Sequence, residues 1–307
     1  MRNIALKLCL LSALAFIFAG AALGEEKPKK IVLIAGKKSH GPVGNGIHDY
    51  GWNARLIKVM LDNSNVADEV AVEYHLNGWP EDQSTLKDAD TIMIISDGRD
   101  GGKFKEALHL DGKERVKFVE KQMKRGCGLV VFHFSTFGPD EYADRMLRWY
   151  GAYFDWEKDG KRDWYSAIKT LEAQVEISNS DHALSRGVEP FTMKEEFYYN
   201  LRFDPDDDRM VPLWKVPALE GRKPHGNVVT WARRRKNGGR GFGTTCGHWF
   251  DRWQIDSFRT GILNGLVWTA KMKIPEGGVR TEFYSREQIK KALKGVEGTE
   301  RAVVGSS

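Results

Sequence analysis

The chain has 307 residues, 41% of them hydrophobic and 29% charged, with ten Trp, three Cys and a formal net charge of +5. So weak a basic balance excludes a protein that holds nucleic acid through a concentrated basic face. Three cysteines are too few for a disulfide framework, so the fold must rest on its apolar core.

Arg2 and Lys7 precede an apolar run over residues 8–19, and Ala19-Gly20-Ala21-Ala22-Leu23-Gly24 then leads into polar sequence at Glu25. This pattern predicts a secretory signal peptide over residues 1–24, cleaved after Gly24. The apolar run falls short of the ~20 residues of a membrane span. Cys9 sits inside the run instead of behind a small-residue box, so no lipid attachment is expected. The mature chain is therefore expected in the periplasm or outside the cell, without a stable membrane anchor. Residues 25–29 read as a flexible N-terminus.

Lys30 opens Ile31-Val32-Leu33-Ile34-Ala35-Gly36, a continuous apolar run that suits a strand buried on both faces. Residues 91–96 and 128–133 repeat the pattern, while Glu69–Tyr74 alternates like an edge strand. Helices are expected over residues 52–61, after a cap at Asp111, and over about 140–150. Strands alternating with helices predict a doubly wound, mainly parallel α/β sheet. Five further strands follow, at 167–178, 191–200, 210–216, 227–234 and 240–246. Short loops join them, which predicts an antiparallel extension of the same sheet, closed by a helix from Ile255 to Lys273. Arg233-Arg234-Arg235-Lys236 before Asn237-Gly238-Gly239 reads as the solvated end of a hairpin.

In open sheets of this kind ligands gather beyond the carboxyl ends of the strands. His40 follows the first strand, His133 ends a central one, and His248 follows the strand at 241–247. These three imidazoles are the expected metal ligands, for a divalent ion such as zinc, with one position open to water or substrate. The rival reading is a polar pocket without metal. Glu195-Glu196 supplies a general base, Glu196, with His133 as its catalytic partner. His40, Ser135, Glu195, Tyr198 and Trp249 are the expected substrate contacts. His48 and His182 are weaker candidates, and His75, His109 and His225 read as surface or loop residues. Trp52 and Trp253 are further pocket-lining candidates, whereas Trp149, Trp164, Trp231 and Trp268 read as core.

The order of these segments resembles the ThuA-like (trehalose-utilisation) family, of the class I glutamine amidotransferase-like fold. The resemblance runs over residues 30–275. It rests on His40, Gly128-Leu129-Val130-Val131-Phe132-His133, Trp149-Tyr150-Gly151-Ala152-Tyr153-Phe154, Glu195-Glu196-Phe197-Tyr198-Tyr199-Asn200, Gly247-His248 and Gly265-Leu266-Val267-Trp268-Thr269-Ala270. It implies a flavodoxin-like architecture and carbohydrate metabolism, with a role on keto-sugars derived from disaccharides. Amidotransferases of this fold carry a nucleophilic Cys where this chain has His133, so glutaminase chemistry is not expected. Phe134 stands where relatives have a small residue. Residues 276–307 are expected as a partly disordered tail. The chain is thus expected to be a hydrolase or lyase for a glycoside or keto-sugar, or else a non-catalytic carbohydrate-binding protein, with self-association left open.

Overall fold

The computed structural model describes residues 27–101, 105, 107–296 and 299–300; the expected signal peptide lies outside them. In chain order the elements are β1 (Lys29–Ala35), α1 (Tyr50–Asp62), β2 (Val70–Leu76), β3 (Thr91–Ile95), α2 (Lys113–Lys124), β4 (Gly128–Phe132) and α3 (Ala143–Tyr150). Two-residue strands follow: β5 (Ala152–Tyr153), β6 (Glu157–Lys158) and β7 (Lys161–Arg162). Then come β8 (Ala167–Ile177), β9 (Phe191–Tyr199), β10 (Arg202–Phe203), β11 (Met210–Lys215), β12 (Val228–Arg234) and β13 (Arg240–Thr244). The chain closes with α4 (Asp256–Thr269), α5 (Arg286–Ala292) and β14 (Thr299–Glu300).

Ten strands form one sheet in the order β14-β2-β1-β3-β4-β13-β12-β11-β8-β9. Pairing is parallel from β14 to β13 and antiparallel from β13 to β9. The expected parallel sheet with an antiparallel extension is what the chain builds, and β13 is the strand where the two regimes meet.

The continuous apolar strands have their physical reason in the two cores. Side chains alternate across a strand, so Ile31 and Leu33 of β1 pack into one cluster with Leu56, Met60, Ile262 and Leu266 of α1 and α4. Val32 and Ile34 enter the other cluster, with Val116, Val119 and Met146 of α2 and α3. Both faces of β1, β3 and β4 are thus covered, and their central positions are apolar.

Several sequence expectations change. Arg233 and Arg235 are buried, not solvated. Arg235 donates to the carbonyls of Trp149 and Arg240, and Arg233 donates to Asp207 and to the Arg148 carbonyl. A planar guanidinium can satisfy several carbonyls at once, which is why these arginines stitch α3 to the β12–β13 hairpin. His75 and His109 are buried, and burial lowers the His109 imidazole to about 3. Trp164, expected in the core, is 47% exposed. Gly112 precedes α2, and Asp111 pairs instead with Arg115 at 3.0 Å. The region expected as a tail carries α5, whose Ser285 and Gln288 form a reciprocal cap.

Candidate functional site

The site is assembled at the carboxyl ends of β1, β4 and β13, with β9 reaching across. The chain leaves β4 at Phe132 and turns sharply at His133, which adopts a left-handed φ of 50°. Ser135 makes that turn possible. Its hydroxyl accepts the Phe132 N–H at 2.7 Å and lies 3.0 Å from the Ile94 carbonyl. Ser135, expected among the substrate contacts, is fully buried and its hydroxyl faces backbone groups.

Beyond β1, the glycine-rich loop 41–46 is tied down by Asp49, whose carboxylate accepts the N–H groups of Gly44 and Gly46 at 3.0 and 2.7 Å. This loop delivers His48, also left-handed at φ 47°, and the His48 N–H donates to the His248 carbonyl at 3.1 Å. Beyond β13, the turn into His248 passes through Gly247 at φ 119°. A Cβ there would stand 2.1 Å from the Phe132 ring, so only glycine fits. Glu195 fixes this turn from below, its carboxylate accepting the N–H groups of Gly247, His248 and Glu196 at 3.0, 3.2 and 2.8 Å. Glu195, expected among the substrate contacts, is wholly buried, with its carboxylate turned to these backbone N–H groups.

Three imidazoles and a carboxylate meet as a result. His48 Nε2 lies 3.0 Å from both His133 Nε2 and His248 Nδ1, which are 3.2 Å apart. Glu196 Oε2 lies 3.1 Å from His248 Nδ1 and 3.8 Å from His133 Nε2. The Tyr198 hydroxyl is 2.8 Å from His133 Nε2 and donates to Glu196 Oε2 at 3.2 Å.

Tautomers follow from the outer contacts. His133 Nδ1 is 2.6 Å from the Thr245 carbonyl, which can only accept, so the ring proton is on Nδ1 and Nε2 carries a lone pair. His48 Nδ1 faces the Tyr50 hydroxyl at 2.9 Å and Asp97 Oδ1 at 3.4 Å. Tyr50 and Ser39 both donate to Asp97, so the His48 proton also points outward and its Nε2 lone pair points in. Burial and the neighbouring imidazoles hold His48 and His133 neutral, far below the ordinary histidine range. Burial alone would raise Glu196, but its hydrogen bonds with His248 and Tyr198 bring it down to about 2. The cluster is therefore two inward lone pairs, a third imidazole and an ionised carboxylate. Metal-binding histidines characteristically donate their outer N–H in this way.

His40, expected as the third ligand, does not join the triangle. Its ring lies 4.2 Å from that of His48 and 6.4 Å from that of His248, exposed at the mouth, with Nδ1 on the Ser39 hydroxyl at 2.8 Å. His48 takes its place. Its place follows from the non-local pairing of its N–H with the His248 carbonyl. Trp249 stands edge-on to His248 at 4.4 Å. Trp253 is buried and donates to Asn53 Oδ1 at 2.7 Å, and Trp52 packs among Arg55, Arg286 and Lys290, so neither lines the cluster. Burial pushes the Cys127 thiol up to about 11 and the Cys246 thiol well above its ordinary value, so neither cysteine is a nucleophile.

The profile of a family described as ThuA, trehalose utilisation, matches residues 44–269. The chain belongs to the ThuA family. The matched span holds His48, His133, Glu196 and His248 and starts after His40. Among solved structures, the fold is similar to that of a putative ThuA-like protein from Parabacteroides merdae, with a TM-score of 0.53 and 15% identity over 83% of this chain and 98% of that one. It is also similar to a cytoplasmic protein from Salmonella typhimurium LT2, with a TM-score of 0.50 and 13% identity over 78% and 99% of the two chains. No curated protein matches the chain.

The buried Glu195 makes a pH prediction. Burial raises its carboxyl to about 7, against backbone hydrogen bonds that lower it. A carboxyl raised in the folded state stabilises the fold fully below the unfolded value and loses that contribution as pH rises through the folded one. Wild-type stability relative to Glu195→Gln should therefore fall between pH 4.5 and 7, by about 3 kcal/mol for metal-free protein. Urea unfolding of both proteins at pH 5, 6, 7 and 8 checks this, and a constant difference would contradict it.

Proposed function

We propose that the protein is an exported, metal-dependent enzyme that cleaves a glycoside or keto-sugar by hydrolysis or elimination. His48, His133 and His248 hold a divalent ion such as zinc, and Glu196 stands beside it as the base. One observation carries this reading: three imidazole nitrogens of the ThuA cluster face one another at 3.0, 3.0 and 3.2 Å. Two inward lone pairs at that separation repel unless a proton or a cation lies between them. Three nitrogens at tetrahedral zinc distances would be about 3.3 Å apart, so the cluster needs only a slight expansion to fit. The family's description as trehalose utilisation supports a sugar-derived substrate.

An ion there would polarise a sugar carbonyl or lower the pKa of water toward ~7. Glu196, ionised throughout the physiological range, then takes a proton from water or from the carbon beside a ketone. In elimination, the C–H electron pair becomes the new double bond while the glycosidic C–O bond breaks and the departing oxygen takes up a proton. Burial holds the Tyr198 hydroxyl protonated, so it can donate a hydrogen bond to an oxygen in the cluster.

Elemental analysis should find about one divalent ion per chain; His48→Ala should lose it and His40→Ala keep it. Since His48 and His133 are held neutral far below the ordinary histidine range, protons should compete with the ion for these two ligands only well below pH 6.5. At a hundredfold excess of ion over Kd, chelation should cost about 2.7 kcal/mol of stability. With an oxidised disaccharide as substrate, Glu196→Gln should lower turnover by about a hundredfold or more. Melting unaffected by chelator, with no metal found, would reject the ion. Sugar binding without turnover in wild type and variant would make the protein a carbohydrate-binding one.

Export rests on the N-terminal sequence. Mass spectrometry should find the mature chain beginning at Glu25, and an intact Met1 would reject cleavage.

A further inference from the structure

Beyond α4 the chain runs as a strap that is fastened at one point after another. The Val279 N–H donates to Asn264 Oδ1 at 2.8 Å, the Arg280 N–H to Asn65 Oδ1 at 2.8 Å, and Arg259 Nε to the Thr281 carbonyl at 3.0 Å. The Phe283 ring then lies 6.0 Å from that of Phe250, and the Ser285 cap starts α5, whose Ile289 is fully buried in the core shared with α1 and α4. These anchors bring Arg286, the first residue of α5, against the loop that carries His48. Arg286 lies beyond the span, residues 44–269, that the family profile matches.

Arg286 Nη2 donates to Asp49 Oδ2 at 2.9 Å, and its guanidinium lies over the rings of Phe250 and Trp52 at 4.8 and 5.6 Å. The Asp49 side chain is wholly shielded from solvent. A carboxylate taken out of water is stable only where a cation and hydrogen bonds replace its hydration. The N–H groups of Gly44 and Gly46 supply two of those bonds. Lys38 stands 4.0 Å away, but its ammonium donates to the carbonyls of Ser39, His40 and Ile47. Among the described residues, Arg286 is therefore the cation that hydrogen-bonds Asp49, and it does so in the fixed plane of a guanidinium held by two aromatic faces.

What Asp49 holds is the neighbour of His48 in the chain. Asp49 precedes α1 as its cap residue, and the same loop is pinned to the turn after β13 by the Phe250 N–H on the Gly46 carbonyl at 2.7 Å and the His48 N–H on the His248 carbonyl at 3.1 Å. His48 is left-handed, a conformation that a non-glycine residue keeps only while its surroundings impose it. A carboxylate deprived of Arg286 would turn toward water and release Gly44 and Gly46, and His48 would relax away from its two partners. We propose that Arg286 is a positioning residue of the imidazole cluster, acting through Asp49 to hold His48 Nε2 against His133 and His248, so that ion binding depends on the C-terminal strap. The proposal rests on the metal-binding reading above and adds a residue that does not touch the ion.

The test is the zinc affinity of the full chain, measured by competition with a chromophoric chelator on proteins that circular dichroism shows to be folded. Arg286→Met keeps an apolar stem against Phe250 and Trp52 but removes the guanidinium. It should weaken zinc binding by about 10–100-fold, the usual loss when a group behind a metal ligand is removed. Arg286→Lys, which keeps the charge and a donor, should recover most of that loss. Cobalt-loaded protein gives a second readout: the visible bands of wild type should persist in Arg286→Lys and change in Arg286→Met as His48 leaves the ion. Should Arg286→Met not fold, Asp49→Asn is expected to bring the same loss of affinity. Wild-type affinity and cobalt bands in the folded methionine or asparagine variant, or a lysine variant as weak as the methionine one, would overturn the positioning role and leave the metal reading in place. Wild type that binds no zinc would reject the two together.

Discussion

The structure depends on a confrontation of two buried imidazole lone pairs, His48 Nε2 and His133 Nε2, 3.0 Å apart with their protons turned outward. Water could separate such groups at a surface, but both residues are nearly or wholly buried. The fold therefore carries an unfavourable contact that only a proton or a cation relieves, and an ionised carboxylate, Glu196, stands beside it. The surrounding loops make sense as devices that hold these atoms in place.

Those devices are costly on their own. His40, His48 and His133 all adopt left-handed backbone conformations, at φ 60°, 47° and 50°. A non-glycine residue held in a sparsely populated region costs about 1–3 kcal/mol and persists only where the surroundings over-determine it. Here Asp49 clamps the loop before His48, Ser135 clamps the turn after β4, and Glu195 clamps the turn before His248. Each clamp is a buried polar group with backbone partners, so none can rearrange without leaving donors or acceptors unpaired in the core. The rigid doubly wound sheet supplies the framework, because β1, β4 and β13 all end at the same edge.

Much of this was legible in the sequence and the rest was hidden for definite reasons. Continuous apolar runs identify β1, β3 and β4 as doubly buried, and the strand-end rule points to His133 and His248, which the fold does bring together. The same rule favours His40 over His48, because it counts residues from the end of β1 and knows nothing of how the loop returns. His48 reaches the cluster through its backbone pairing with His248, 200 residues away, and that pairing has no local signature. Ser135 and Glu195 look like ligand contacts because they are polar and adjacent to the site, yet both face backbone groups. Arg233 and Arg235 look solvated because charge suggests exposure, while their partners are carbonyls in α3 and neighbouring segments. Membership of the ThuA family fixes the architecture and says less about chemistry, which lies in how the loops meet.

The most direct test is anomalous diffraction from crystals of the protein grown with zinc, recorded on both sides of the zinc absorption edge. The account predicts one buried peak about 2.0–2.1 Å from His48 Nε2, His133 Nε2 and His248 Nδ1, with Glu196 beside it. A peak held instead by His40 and Asp97, or no peak among the three imidazoles at saturating zinc, would contradict it.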